Sequence, residues 1–178
     1  MKYIITILLS ILFIGCTTSN IQVEKNLAND KLAILLSSLN EKVDKKEAQT
    51  LSNEMFKQAE FLKESYGLVS PPLFHNFLVN IGVKEKGLCW HFALDMLKHA
   101  KSLKLKSFDY YFGVANLGDY WKEHNTLVVT CKSCNFENGI VLDPWRNSGE
   151  LFFSKVKNDD EYEWFQRGWK KELIVCFS

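Results

Sequence analysis

The sequence lacks any apolar run long enough to cross a bilayer. Ile4 to Ile14 is apolar apart from Thr6 and Ser10, but it stops at Gly15, short of the roughly 20 residues a spanning helix needs. It also lacks an excess of either charge. There are 22 basic and 21 acidic residues, and the first 15 positions hold one of the basic and none of the acidic ones, so the rest is neutral. A neutral chain offers no electrostatic footprint for nucleic acid, and no nucleic-acid partner is expected. A second C-x-x-C is missing: Cys131-Lys132-Ser133-Cys134 stands alone, so no complete zinc site can be written and no metal is expected. Internal repeats and low-complexity stretches are absent as well. With 47% hydrophobic and 13% aromatic residues, the chain is rich enough in apolar side chains to bury a core and is not a disordered tether.

What is present begins with a leader. A basic start, Met1-Lys2, precedes the short apolar run and Gly15-Cys16, the layout of a secretory signal. Its end resembles a bacterial lipobox, which implies a lipidated (palmitate-bearing) Cys16 as the mature N-terminus. Phe13 stands where Leu is usual in that motif. An ordinary signal peptide and an uncleaved anchor are the alternatives. The expected organisation is a signal peptide over 1–15, a tether over 16–25 and one domain over 26–178. The expected location is the cell envelope: a lipid anchor in the membrane, with the domain in the periplasm or outside the cell.

Within the domain, helices come first. Apolar residues at 27, 28, 32, 35, 36 and 39 predict a helix from Asn26 to about Leu39. Asp44 opens a second, with Glu47 as its capping-box partner. Leu51, Met55, Ala59 and Leu62 mark its buried face, widened by Phe56 and Phe61, and Gly67 follows its end. Leu73 to Val79 reads as a short buried helix closing near Gly82. A fourth helix starts at Cys89 and buries Phe92, Met96, Leu97, Ala100 and Leu103. From Phe108 the period changes. Strands are expected over Phe108–Val114, His124–Thr130 and Gly139–Asp143, with weaker ones at Leu151–Val156 and Glu172–Phe177. Helices followed by strands predict an α+β fold with an antiparallel sheet.

Three residues in this layout suit one chemistry. Cys89 heads a helix, where the positive dipole end and unpaired N–H groups favour a thiolate. His124 opens one strand and Asp143 closes the next. A hairpin centred between Ser133 and Cys134 places His124 directly opposite Asp143, with Cβ atoms roughly 4.5–5.5 Å apart. A carboxylate there can fix the imidazole, and the imidazole can take a thiol proton. Backbone N–H groups at the helix start can hold an oxyanion, and Asn80 is the side-chain candidate for the same task. Each residue alone has an ordinary explanation: a buried filler cysteine, a strand-end histidine, a turn-initiating aspartate. Together, in this order, they read as a nucleophile, a base and its orienter. His91 is a weaker base candidate. Trp145 and Arg146 either shape the cleft or serve as core packing and a surface ion pair. Cys131 and Cys134, at the hairpin tip, read as a small local disulfide or two unreactive thiols, with a metal half-site as the lesser option.

Gly87-Leu88-Cys89-Trp90-His91-Phe92-Ala93, Glu123-His124-Asn125-Thr126 and Leu142-Asp143-Pro144-Trp145 resemble the three motif blocks of the bacterial transglutaminase-like cysteine proteinase superfamily, within the papain-like fold. The resemblance covers about residues 80–155. It implies a nucleophile helix packed on an antiparallel sheet, with Cys89 as nucleophile, His124 as base and acid, and Asp143 as orienter. It also implies acyl transfer from an amide of a peptide or protein, including cell-wall peptide, with no cofactor. Hydrolysis, deamidation and transamidation stay open. The chain is shorter than many members, which implies a shallow cleft or one completed by an envelope protein partner. Two other classes remain: a non-catalytic envelope binding module that keeps the fold, and a redox protein using Cys131 and Cys134.

Overall fold

The computed structural model describes residues 22–119 and 121–168. Helices α1 (22–37), α2 (Lys45–Ser65), α3 (Pro72–Asn80) and α4 (Cys89–Ser102) precede strands β1 (Phe108–Ala115), β2 (His124–Cys131), β3 (Ile140–Asn147), β4 (Glu150–Lys155) and β5 (Phe165–Gln166). The strands form one antiparallel sheet in the order β4-β3-β2-β1-β5, so the chain is α+β as expected. The expected leader, Cys16 and the expected strand at Glu172–Phe177 lie outside the described residues. No helix among the described residues is long and apolar enough to cross a membrane.

Residues 22–25, inside the stretch expected as tether, are helical and belong to α1. The Asp44 side chain caps α2 by accepting from the Lys46 and Glu47 backbone N–H groups. Glu47 does not close a capping box. Its carboxylate instead accepts from the backbone N–H groups of Lys106 and Ser107 and ties the start of α2 to the turn before β1. Leu51, Met55, Ala59 and Leu62 are buried, whereas Phe61 points to solvent. Helix α3 is the larger surprise. Its buried residues are His75 and Asn76, while Leu73, Phe74 and Phe77 are exposed. Apolar content predicts a buried helix, but the side chains buried are two polar ones that have fixed partners inside.

The sheet sorts its residues by the strand period of two. Leu127, Val129 and Cys131 of β2 pack with Phe92, Ala93, Met96, Leu97 and Ala100 of α4 and with α2. Each large apolar side chain buried there stabilises the fold by about 1.5–3 kcal/mol. Val128, between them, packs on the other face with Ala115, Phe136, Val141, Val156 and Trp164. Odd-numbered positions of β2 therefore meet the helices, and even-numbered ones meet the second layer.

The β2–β3 register differs from the expected one by two residues. Leu127 pairs with Leu142 and Val128 with Val141, because the connection holds a 3₁₀ turn at Phe136–Asn138. An odd shift would have sent Asp143 to the other face; the even shift keeps it on the face of His124. Cys131 and Cys134 form a disulfide, which staples the start of this connection.

Candidate active site

The approach to Cys89 is built by two side chains and a glycine. His75, 1% exposed, accepts the Val69 N–H at Nδ1 and donates from Nε2 to the Lys86 carbonyl. Gly87 follows with φ +126°, and a Cβ there would lie 2.1 Å from His75 Nε2, so only glycine fits between the ring and the helix start. His91 then accepts the N–H groups of Gly87 and Leu88 at Nδ1. Burial and the nearby Lys86 push its pKa down to about 4, which suits an acceptor. His91 thus caps the start of α4. His99 pairs with Glu54, 45 positions away.

Cys89, the first residue of α4, is 4% exposed and outside the disulfide. It lines a cavity of about 250 Å³ together with His124, Asn76, Glu123, Trp145 and Tyr162. The imidazole of His124 is 3% exposed and the carboxylate of Asp143 1%. Their Nε2 and Oδ2 atoms are 2.6 Å apart. Since Asp143 takes Nε2, Nδ1 is the nitrogen left for the thiol. Nδ1 is buried and has no hydrogen-bond partner of ordinary geometry, yet the Cys89 side chain is near enough to act on the ring. Burial opposes a charged ring, but the Asp143 carboxylate, its hydrogen bond and Cys89 outweigh it and raise the His124 pKa.

Asp143 survives as a buried carboxylate because it is fully surrounded by donors. Oδ1 accepts the backbone N–H groups of Trp145 and Arg146, and Oδ2 accepts from Arg146 Nε as well as from His124. Burial pushes its pKa up, but His124 and Arg146 prevail and hold it below the usual carboxylate value. Arg146 is no surface ion pair. Its two terminal nitrogens bind Asp159 at 3.0 and 2.7 Å, and its plane lies over the rings of Phe152 and Tyr162. Asp159 also accepts the Trp164 indole N–H. Trp145, Tyr162 and Trp164 surround His124, with ring centroids 4.8, 4.8 and 5.4 Å away.

Asn80 ends α3, exposed and outside the residues that line the cavity. Asn76, one helical turn earlier, is buried and lines it. Its Oδ1 accepts the Trp145 indole N–H, which leaves the amide hydrogens to serve as donors. No property of α3 read as an isolated helix distinguishes the two asparagines. Asp159 and Asn76 became functional candidates only through contacts across the fold, whereas Arg146 was already a possible cleft residue because it follows Asp143 closely.

Among known proteins, no family model, no curated sequence and no solved structure matches this chain.

Proposed function

We propose that the chain is a cysteine acyltransferase or hydrolase acting on amides through a Cys89–His124–Asp143 triad, with a papain/transglutaminase-like core. The observation that carries the reading is the 2.6 Å bond between a buried imidazole and a buried carboxylate at the cavity that holds a cysteine on the first turn of a helix. Such a pair costs several kcal/mol to desolvate and is an expensive way to fill a core. In the reaction, His124 takes the thiol proton and the Cys89 sulfur attacks the amide carbon. The carbonyl oxygen becomes an oxyanion, which Asn76 and the N–H groups of the first turn of α4 can hold. As the oxyanion collapses, the C–N bond breaks and the imidazolium protonates the departing amine, leaving a thioester. Water then gives hydrolysis or deamidation, and a second amine gives transamidation, with Cys89 released as the thiol in each case.

The acyl donor in this reading is a peptide or protein of the cell envelope, cell-wall peptide included, and Cys16 carries the lipid anchor. The test is labelling with an acyl-donor probe that leaves a thioester on the nucleophile. Wild-type protein should acquire the mass of one acyl group on the peptide containing Cys89, and Cys89→Ala should acquire none. A folded wild-type protein that takes no label, and whose Cys89 alkylates no faster than an ordinary thiol, would leave the binding-module reading. Membrane partition of Cys16→Ser tests the anchor; a variant that stays wholly with membranes would exclude it.

A further inference from the structure

We infer that Asn125 is a positioning residue for the nucleophile: its side-chain amide, held from behind by Arg167, donates to the Cys89 sulfur and favours the thiolate. The inference rests on the acyl-transfer reading and assigns that site a part which neither helix dipole nor histidine supplies. His124 and Asn125 are adjacent on β2, so they project to opposite faces of the sheet. His124 meets Asp143 on the second layer, and Asn125 turns to the helix side. The start of α4 lies at this end of the sheet, where Cys89 lines one cavity with His124 and lies beside the Asn125 amide.

The orientation of the amide is decided by its other neighbour. Asn125 is 1% exposed. Its Oδ1 accepts from Arg167 Nη1 at 2.9 Å, and a guanidinium has donors only, so the oxygen must face Arg167. The amide nitrogen is thereby turned to Cys89, with Nδ2 3.9 Å from Sγ. Arg167 is itself fixed, by Glu123 at 2.6 Å and by its backbone N–H on the Phe112 carbonyl at 2.8 Å. A donor at this range gives little to a neutral thiol. It gives more to a thiolate, because hydrogen bonds to ionised acceptors are shorter and roughly twice as strong. The amide therefore acts on the protonation equilibrium of the sulfur more than on its packing. Glu123 neutralises Arg167, so the donor works without a full positive charge beside the site.

The test is the pH dependence of iodoacetamide alkylation at Cys89, followed on the Cys89 peptide by mass spectrometry. It compares wild type with Asn125→Ala, Asn125→Asp and Arg167→Gln, each shown to be folded by circular dichroism. Asn125→Asp has nearly the same shape and keeps an acceptor for Arg167, which guards against a simple packing defect. The pH of half-maximal rate should rise by about one unit in Asn125→Ala, a tenfold slower reaction below the midpoint. It should rise further in Asn125→Asp and less in Arg167→Gln. The plateau rate at high pH should stay within about twofold. Unmoved midpoints in the folded variants would overturn the inference, as would a fall of the plateau alone, which reports access and packing. A wild-type midpoint near the free-thiol value of about 8.5 would instead overturn the acyl-transfer reading beneath it.

Discussion

His124 Nε2 and Asp143 Oδ2 are 2.6 Å apart, although the two residues are not backbone partners. The β2–β3 ladder ends at Leu127–Leu142, and the Thr126 hydroxyl donates to the Leu142 carbonyl. Beyond this point the strands separate and the two side chains meet diagonally. Asp143→Asn keeps the shape but removes the charge that holds the ring. Acyl-probe labelling should fall by at least about 100-fold, since the equivalent change in a serine triad costs roughly 10⁴ in turnover, while the far-ultraviolet spectrum stays unchanged. Labelling within a few-fold of wild type would show that Asp143 is only a turn residue.

The same pair has a pH signature. The His124 pKa is raised in the folded chain, so its stabilisation is fully present below the unfolded value of about 6.5 and is lost as pH rises through the folded value. Asp143 is lowered, so its share is fully present above about 3.9 and is lost as pH falls through the folded value. The gap in melting temperature between wild type and His124→Gln should therefore be widest between about pH 4 and 6.5 and narrow on both sides. A gap that does not change from pH 3 to 10 would contradict the pairing.

Arg146 answers two buried carboxylates at once, Asp143 and Asp159. Replacing it by Met leaves Asp159 without its buried cation and Asp143 with His124 alone, and breaking a buried pair from one side costs about 3–5 kcal/mol. Urea unfolding of Arg146→Met should show a loss of that size. Arg146→Lys should recover only part of it, because an ammonium cannot reach Asp143 and grip Asp159 with a planar fork. A loss below about 1 kcal/mol would mean that solvent replaces the guanidinium.

Gly87, two residues before Cys89, packs against the His75 ring. In Gly87→Ala the methyl group would collide with the His75 ring at a φ that L-residues rarely adopt. Stability should drop by about 1–3 kcal/mol, and acyl labelling at Cys89 should fall beyond what the unfolded fraction explains, because the start of α4 shifts. Unchanged labelling per folded molecule would show that the helix start is placed by packing alone.

The disulfide lies at the opposite end of β2 from His124. Cys134→Ser opens a loop of four residues, for which chain entropy gives about 2 kcal/mol. Unfolding should become easier by up to that amount, with acyl labelling of the folded protein unchanged. Loss of labelling would instead favour a redox role for Cys131 and Cys134.

Much of this molecule could be read along the chain because local physics sets it. The period of Leu51, Met55, Ala59 and Leu62, the Asp44 cap, and the change of period at Phe108 each depend on near neighbours. So does the placing of Cys89 at a helix start and of His124 at a strand start, whereas Asp143, expected to close its strand, lies inside β3. The face of α3, the task of Glu47 and the β2–β3 register were not legible in that way. Each depends on a partner distant in sequence: the Trp145 indole for Asn76, the Lys106 and Ser107 amides for Glu47, and a 3₁₀ turn whose length the hairpin had to absorb. The order of Cys89, His124 and Asp143 along helix and strands was thus written in the sequence by itself. That Asp143 reaches His124 diagonally, that Arg146 and Asp159 make its buried charge tolerable, and that Asn76 rather than Asn80 lines the cavity were decided only by the tertiary structure. Burying a charge or an amide requires donors and acceptors that no single segment contains.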